Sequence, residues 1–252
     1  MRTPDINLKT ANRIRRRLVG IVDGCEIYPR KNTHLDSVSL AMFARMAELH
    51  KGICLLTQKR RRRDGAILAR TLCEAVITYN WLTNSPTEDR ADRYVKYWGK
   101  VRQINMDRIP KYFGYNYKPT DPGEINLINE AKALFRQNQW YEKNIAAMAQ
   151  EHIEGETNPD GTRANLSAQY ELYYFWLCLT SHPTVMAIEC FWPTPEQPFS
   201  SSMRPQPYGS IPESYLLFLS TIWLFQITML VNKTLKLRKD IELEAIFKEL
   251  KR

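Results

Sequence analysis

The chain has 252 residues, 44% of them hydrophobic and 25% charged, which excludes whole-chain disorder and leaves enough apolar mass for a large core. Its 36 Lys and Arg outweigh 27 Asp and Glu, for a formal charge of +9 and a pI near 9.3. That excess points to an anionic partner: RNA, DNA, a nucleotide or an acidic membrane surface.

Apolar positions recur every three or four residues along most of the chain, and no stretch alternates with the period of a strand. The expected fold is all-α: a single-domain bundle of about six to eight helices over residues 35–252, with an irregular basic arm at 1–34 and a Pro-rich loop at 193–212 inside the bundle. The arm holds Arg15, Arg16 and Arg17, placed to touch phosphate or a partner subunit. Asp36 or Ser37 is expected to cap a first long helix running to about Gln58. Five consecutive cations follow, Lys59, Arg60, Arg61, Arg62 and Arg63, before a second helix over Asp64–Asn84. Pro86 stops that helix and Thr87 caps a third, basic one, which Pro110 ends or kinks. Tyr112–Tyr117 reads as an aromatic loop, followed by helices at Glu124–Asn138 and Trp140–His152. An aromatic helix at Ser167–Ser181 ends at His182 and Pro183. Tyr215–Val231 is almost wholly apolar, but Ser220, Thr221, Gln226 and Thr228 interrupt it, which argues for a central core helix over a membrane span. A charged amphipathic helix, Asp240–Lys251, comes last.

Cys25, Cys54, Cys73, Cys178 and Cys190 show no C-x-x-C spacing and are odd in number, so reduced thiols are expected rather than a zinc cluster or disulfides. Residues 1–17 lack the apolar run of a signal peptide, and a cytoplasmic setting is expected. There is no H-E-x-x-H pair and no phosphate-binding glycine loop, so neither a metal nor another cofactor is expected.

Three polar residues stand out inside apolar helices. Arg70 and Glu74 lie four apart and share a helix face, where each is a ready partner for the other's charge. His182, at the end of the aromatic helix, can act as acid or base near neutral pH. Tyr94 and Tyr174 are candidates for a supporting role, each with an apolar ring and a polar tip.

The segments AILARTLCEAVITYNWLTNSP, DRADRYVKY, QWYEKNIAAMAQEHIEG and AQYELYYFWLCLTSHPTVMAI resemble a bacterial all-α family of unknown function, likened in turn to the HEPN class (higher eukaryote and prokaryote nucleotide-binding domains). The resemblance spans about residues 35–235 and implies that Arg70, Glu74, Tyr94, Ser181 and His182 are the family's polar positions. It further implies an RNA-acting protein, a metal-independent endoribonuclease of a toxin or antiphage defence system, working as a homodimer or with a partner protein of that system. Catalysis would rest on Arg70, Glu74 and His182. HEPN ribonucleases place an Arg ahead of their His with four to six residues between them, and here those positions hold Phe175, Trp176 and Leu177. Arg45 and His50 do fit the spacing, but in the first long helix. A non-catalytic helical module that binds RNA, a nucleotide or a protein, through Arg15–Arg17 and Lys59–Arg63, is the alternative. A membrane-acting effector working through residues 214–232 is the second.

Overall fold

Helix formation follows the apolar periodicity, and its caps explain most of the boundaries. The computed structural model describes residues 6–30, 33–85, 89–115, 118–135, 144–151, 166–174, 177–178 and 212–250. Among the described residues the regular structure is entirely helical, an all-α bundle. Its elements are α1 Leu8–Asp23, α2 Leu35–Gln58, α3 Arg62–Thr83, α4 Asp89–Phe113, α5 Pro122–Leu134 and α6 Ile145–Gln150. There follow α7 Leu166–Gln169, which runs on into a π-helical turn at Tyr170–Tyr174, then α8 Glu213–Leu235 and α9 Asp240–Leu250.

Residues 8–23, read from sequence as part of an irregular arm, form a complete helix. Asn7 caps it by accepting from the Thr10 N–H at 2.9 Å. Ala11, Ile14, Leu18, Ile21 and Val22 repeat at helical spacing and are buried against α2 and α8. The arginines between them obscured that stripe. The start of α2 also differs from expectation: His34 occupies the N-cap without a side-chain bond. Asp36 lies in the first turn, where the helix dipole favours its charge, and takes a two-pronged hold from Arg30, Nε to Oδ2 at 3.0 Å and Nη2 to Oδ1 at 2.8 Å. This hold keeps the Asp36 carboxyl below the usual carboxylate range, against the opposing effect of its burial. At α5 the cap is regular: Asp121 accepts from the Glu124 N–H at 2.8 Å, and Pro122 fills the first helical position. Pro110 does not end α4, which continues to Phe113.

The centre of the bundle is α8. It is long and apolar enough to cross a membrane by length and composition, yet it packs against α1, α2, α3 and α9. Leu216, Leu217, Trp223, Leu224, Ile227 and Val231 are almost wholly shielded from solvent. Its buried hydroxyls are satisfied within the helix, Thr221 donating to the Leu217 carbonyl at 2.6 Å and Thr228 to that of Leu224 at 2.7 Å. One further bond joins α8 to α2. His50, fully buried, has its Nε2 3.0 Å from the Thr221 hydroxyl oxygen. The Thr221 proton is already spent on Leu217, so Nε2–H donates and Nδ1 is the acceptor nitrogen. The Cys54 thiol, 3.7 Å from Nδ1, supplies the matching proton. Burial, with the nearby charge of Arg15 on α1, pushes the His50 imidazole down to about 3. Burial raises the Cys54 thiol to about 11. Both groups are neutral at pH 7, and Cys54 is an unreactive core thiol.

Two substitutions test the packing. A methyl at Gly99 would press on the Leu127 carbonyl, 2.7 Å from its carbon and 3.0 Å from Ala131 Cβ, so Gly99→Ala is expected to cost about 2 kcal/mol by forcing α4 off α5. Gly20, with nothing within 4 Å of the added carbon, is the control, and Gly20→Ala is expected to stabilise by about 0.5–1 kcal/mol; urea midpoints read both. A third tests His50. Between pH 6.5 and about 3 an unfolded imidazole binds a proton that the buried one refuses, so acid favours unfolding across that window. His50→Gln keeps a donor for Thr221 without a titrating ring, and its urea midpoint should fall less steeply than wild type between pH 7 and 4.5.

Candidate functional site

Helix α3 buries Ala66, Ala69, Leu72, Cys73, Val76 and Ile77. Arg70 and Glu74, one turn apart, fall at the edge of that stripe and are half-buried. The π-helical turn lies beside them. The Arg70 guanidinium sits over the Tyr174 ring, 5.5 Å from its centroid, and within electrostatic reach of the Tyr174 hydroxyl. Its interaction with that hydroxyl is the main cause of a raised Arg70 pKa, with the charges of Cys178, Tyr174 and Glu74 adding to it. On Tyr174 two effects oppose each other, and burial outweighs the neighbouring Arg70, lifting the phenol to about 12. At neutral pH the cluster therefore holds a fixed cation, a protonated phenol and the Glu74 side chain within electrostatic reach of each other. Tyr170 stacks on Tyr174 with ring centroids 4.9 Å apart.

The turn is held from behind by α8. Trp223 donates its indole N–H to Gln169 Oε1 at 3.0 Å, and Tyr173 meets the rings of Tyr215 and Trp223 edge-on at 5.9 and 6.4 Å. Tyr173 thus serves the core while its neighbour Tyr174 serves Arg70. A basic surface leads toward the cluster along α3. Arg63 is two turns before Arg70 and therefore on the same side of the helix. The turn ahead of it exposes Lys59, Arg60 and Arg61, with Arg60 in the left-handed region at φ 58°. Arg61 pairs with Asp64 at 3.7 Å and Arg62 with Glu213 at 3.6 Å. These ion pairs are half-exposed and weak.

The other residues singled out in the sequence go to different places. Ser181 and His182 lie outside the described residues. Tyr94 lines a separate apolar cleft with Met42, Thr71 and Ala75, and burial raises its phenol. The Arg45 and His50 pair does not assemble, because Arg45 is exposed and His50 is at the core. Arg15, Arg16 and Arg17 do not form one patch. Arg15 turns inward toward His50 and Cys54, Arg17 binds Glu249 of α9 at 2.7 Å alongside Arg13, and Arg16 is exposed.

Sequence reasoning missed two features. The stacked Tyr170 was hidden in a run of aromatics with no way to rank them. A clamp of Trp81, Arg90 and Glu151 was hidden because its members are far apart in the chain. Glu151 accepts from the Trp81 indole at 3.0 Å and pairs with Arg90, while Arg90 lies over the Trp81 ring at 4.1 Å and donates to the Trp81 carbonyl at 2.8 Å. It fastens the end of α3 to the start of α4 and the end of α6. Among the described residues no group of three or more His, Cys, Asp or Glu is placed to hold a metal ion.

The model of a family of unknown function (DUF5677) matches residues 36–197. No curated protein and no solved structure matches the chain.

Tyr174→Phe keeps the ring beneath Arg70 and removes its acceptor oxygen. It is expected to lower the unfolding free energy by about 1 kcal/mol and to remove one tyrosine's worth of absorbance change from a spectrophotometric titration near pH 12.

Proposed function

Since the chain belongs to the DUF5677 family, which is itself of unknown function, its own side chains must support any reading, and we propose that it is a HEPN-like helical protein that acts on RNA. The observation behind this reading is the Arg70 cluster: a guanidinium seated on Tyr174, next to Glu74, on the same helix as the exposed cations at its start. A guanidinium offers five N–H donors in a fork that matches phosphate oxygens. In this reading Arg70 holds a phosphate and Tyr174 orients the guanidinium. Lys59, Arg60, Arg61 and Arg63 follow the strand onward through its phosphates. From Arg63 to Arg70 is a rise of about 10 Å along the helix axis, so that the two cations would meet different phosphates of one strand.

Cleavage is the stronger form of the same proposal. Metal-independent cleavage of RNA needs a base to take the 2′-hydroxyl proton, an acid for the leaving oxygen and a cation for the charge that builds on the phosphate. Arg70 suits the last role and Glu74 the first, and His182 is the acid in the arrangement that the sequence resemblance implies. The membrane-acting alternative finds less support, because the apolar faces of α8 are occupied by its neighbours.

Two measurements test this. Filter binding of purified protein to total RNA should weaken steeply with salt. Arg70→Ala should lose about tenfold in affinity and flatten the log–log slope by about 0.7, the value of one single-strand phosphate contact. A salt-independent affinity would remove the RNA reading. Incubation with the same RNA in EDTA should yield cleavage that Arg70→Ala and His182→Ala both abolish. Intact cleavage in both variants would leave the site without a catalytic role.

A further inference from the structure

On the opposite edge of α3 from Arg70, the helices α2, α3 and α4 leave a cleft of about 760 Å³. That volume is typical of pockets that enclose a small organic ligand. Met42, Met46, Leu49, Val95, Tyr94 and Trp98 are among the residues that line the cleft. Methionine thioethers let such a lining adapt to a flexible occupant. Trp98 is 53% exposed, an unusual cost for the largest apolar side chain unless something covers it. The guanidinium of Arg102 lies over its ring at 5.0 Å.

The charge around the cleft is one-sided. No carboxylate is among the residues lining it, and Arg45 is the one charged side chain that does. Arg45 makes no hydrogen bond or ion pair among the described residues, and Glu48, one turn on, pairs with Lys51 instead at 3.5 Å. An apolar trough with a single unbalanced cation at its rim complements a molecule with a long apolar body and one anionic end. We infer that the cleft binds a long-chain monocarboxylate of the fatty-acid kind, its chain against Met42, Met46 and Trp98 and its carboxylate on Arg45. This site is independent of the RNA reading, because the cleft is lined by Thr71 and Ala75 rather than by Arg70 or Glu74.

The test uses cis-parinaric acid, a monocarboxylate that fluoresces when its chain enters an apolar site, with the purified full chain. Saturable binding with one site per chain is expected. Dodecanoate should displace it, dodecanol at least tenfold less effectively, and dodecyltrimethylammonium not at all. Arg45→Gln should weaken dodecanoate about tenfold and leave dodecanol unchanged, while Arg45→Lys recovers most of the loss. Ala41 lines the cleft from an exposed position, so Ala41→Trp fills the space without entering the core and should abolish binding of every ligand while thermal unfolding stays as in wild type. If Ala41→Trp fails to fold, Arg45→Gln against dodecanoate and dodecanol decides alone. Non-saturable binding, displacement by the ammonium compound as effective as by the carboxylate, or full binding by folded Ala41→Trp would overturn the proposal.

Discussion

The burial of α8 is the constraint to which the rest of the bundle answers. A helix this apolar must hide nearly its whole surface, and it does so by drawing α1, α2 and α3 around it and closing the end with α9. Polar atoms on such a helix are costly unless bonded, and its buried hydroxyls all are. Ser220, Thr221 and Thr228 return their protons to the carbonyl one turn back. Asn232 uses both ends of its amide, donating to Asp240 at 2.9 Å and accepting from the Lys239 N–H at 2.9 Å, which fixes the corner into α9. The buried polar tie between α2 and α8, His50 to Thr221, sets how α2 is placed along α8: sliding the helices past one another would strand an imidazole in a dry interior.

Helix α3 inherits its orientation from that arrangement and passes it on. With its small residues Ala66 and Ala69 turned to the core, Arg70 and Glu74 come out on one flank and Thr71 and Ala75 on the other. One helix therefore supplies the cation of the Arg70 cluster and a wall of the apolar cleft. The aromatic turn that completes the cluster is located by α8 as well, through Trp223 and Tyr215. The two proposed sites thus share a scaffold without sharing a side chain.

Much of the architecture could be read from the sequence, because burial leaves a periodic trace. The long helices α2, α3, α8 and α9 all lie close to where their apolar spacing put them. The first helix was misjudged because Arg13, Arg15, Arg16 and Arg17 crowd the positions between its apolar residues and their charge masks a regular pattern. For α8, hydropathy counts residues and not neighbours, so composition leaves core and membrane helices alike. The site was legible only in its local half. Arg70 and Glu74 share a face by spacing alone, but nothing local says that Tyr174, and not Tyr94, Tyr170 or Tyr173, meets them across the bundle.

The π-helical turn makes the Arg70 cluster unusually dependent on chain length. By taking up an extra residue within one turn, it allows adjacent tyrosines to serve opposite neighbours, one the core and the next the surface cation. Removing a single residue within it would let the segment rewind as ordinary α-helix, since the turn takes up the one residue for which α winding has no place, and would change which tyrosine faces α3. Side-chain exchanges at the turn would act by degrees. A one-codon deletion would act like a switch thrown, carrying the phenol away from the guanidinium in one step even though no residue of α3 had changed.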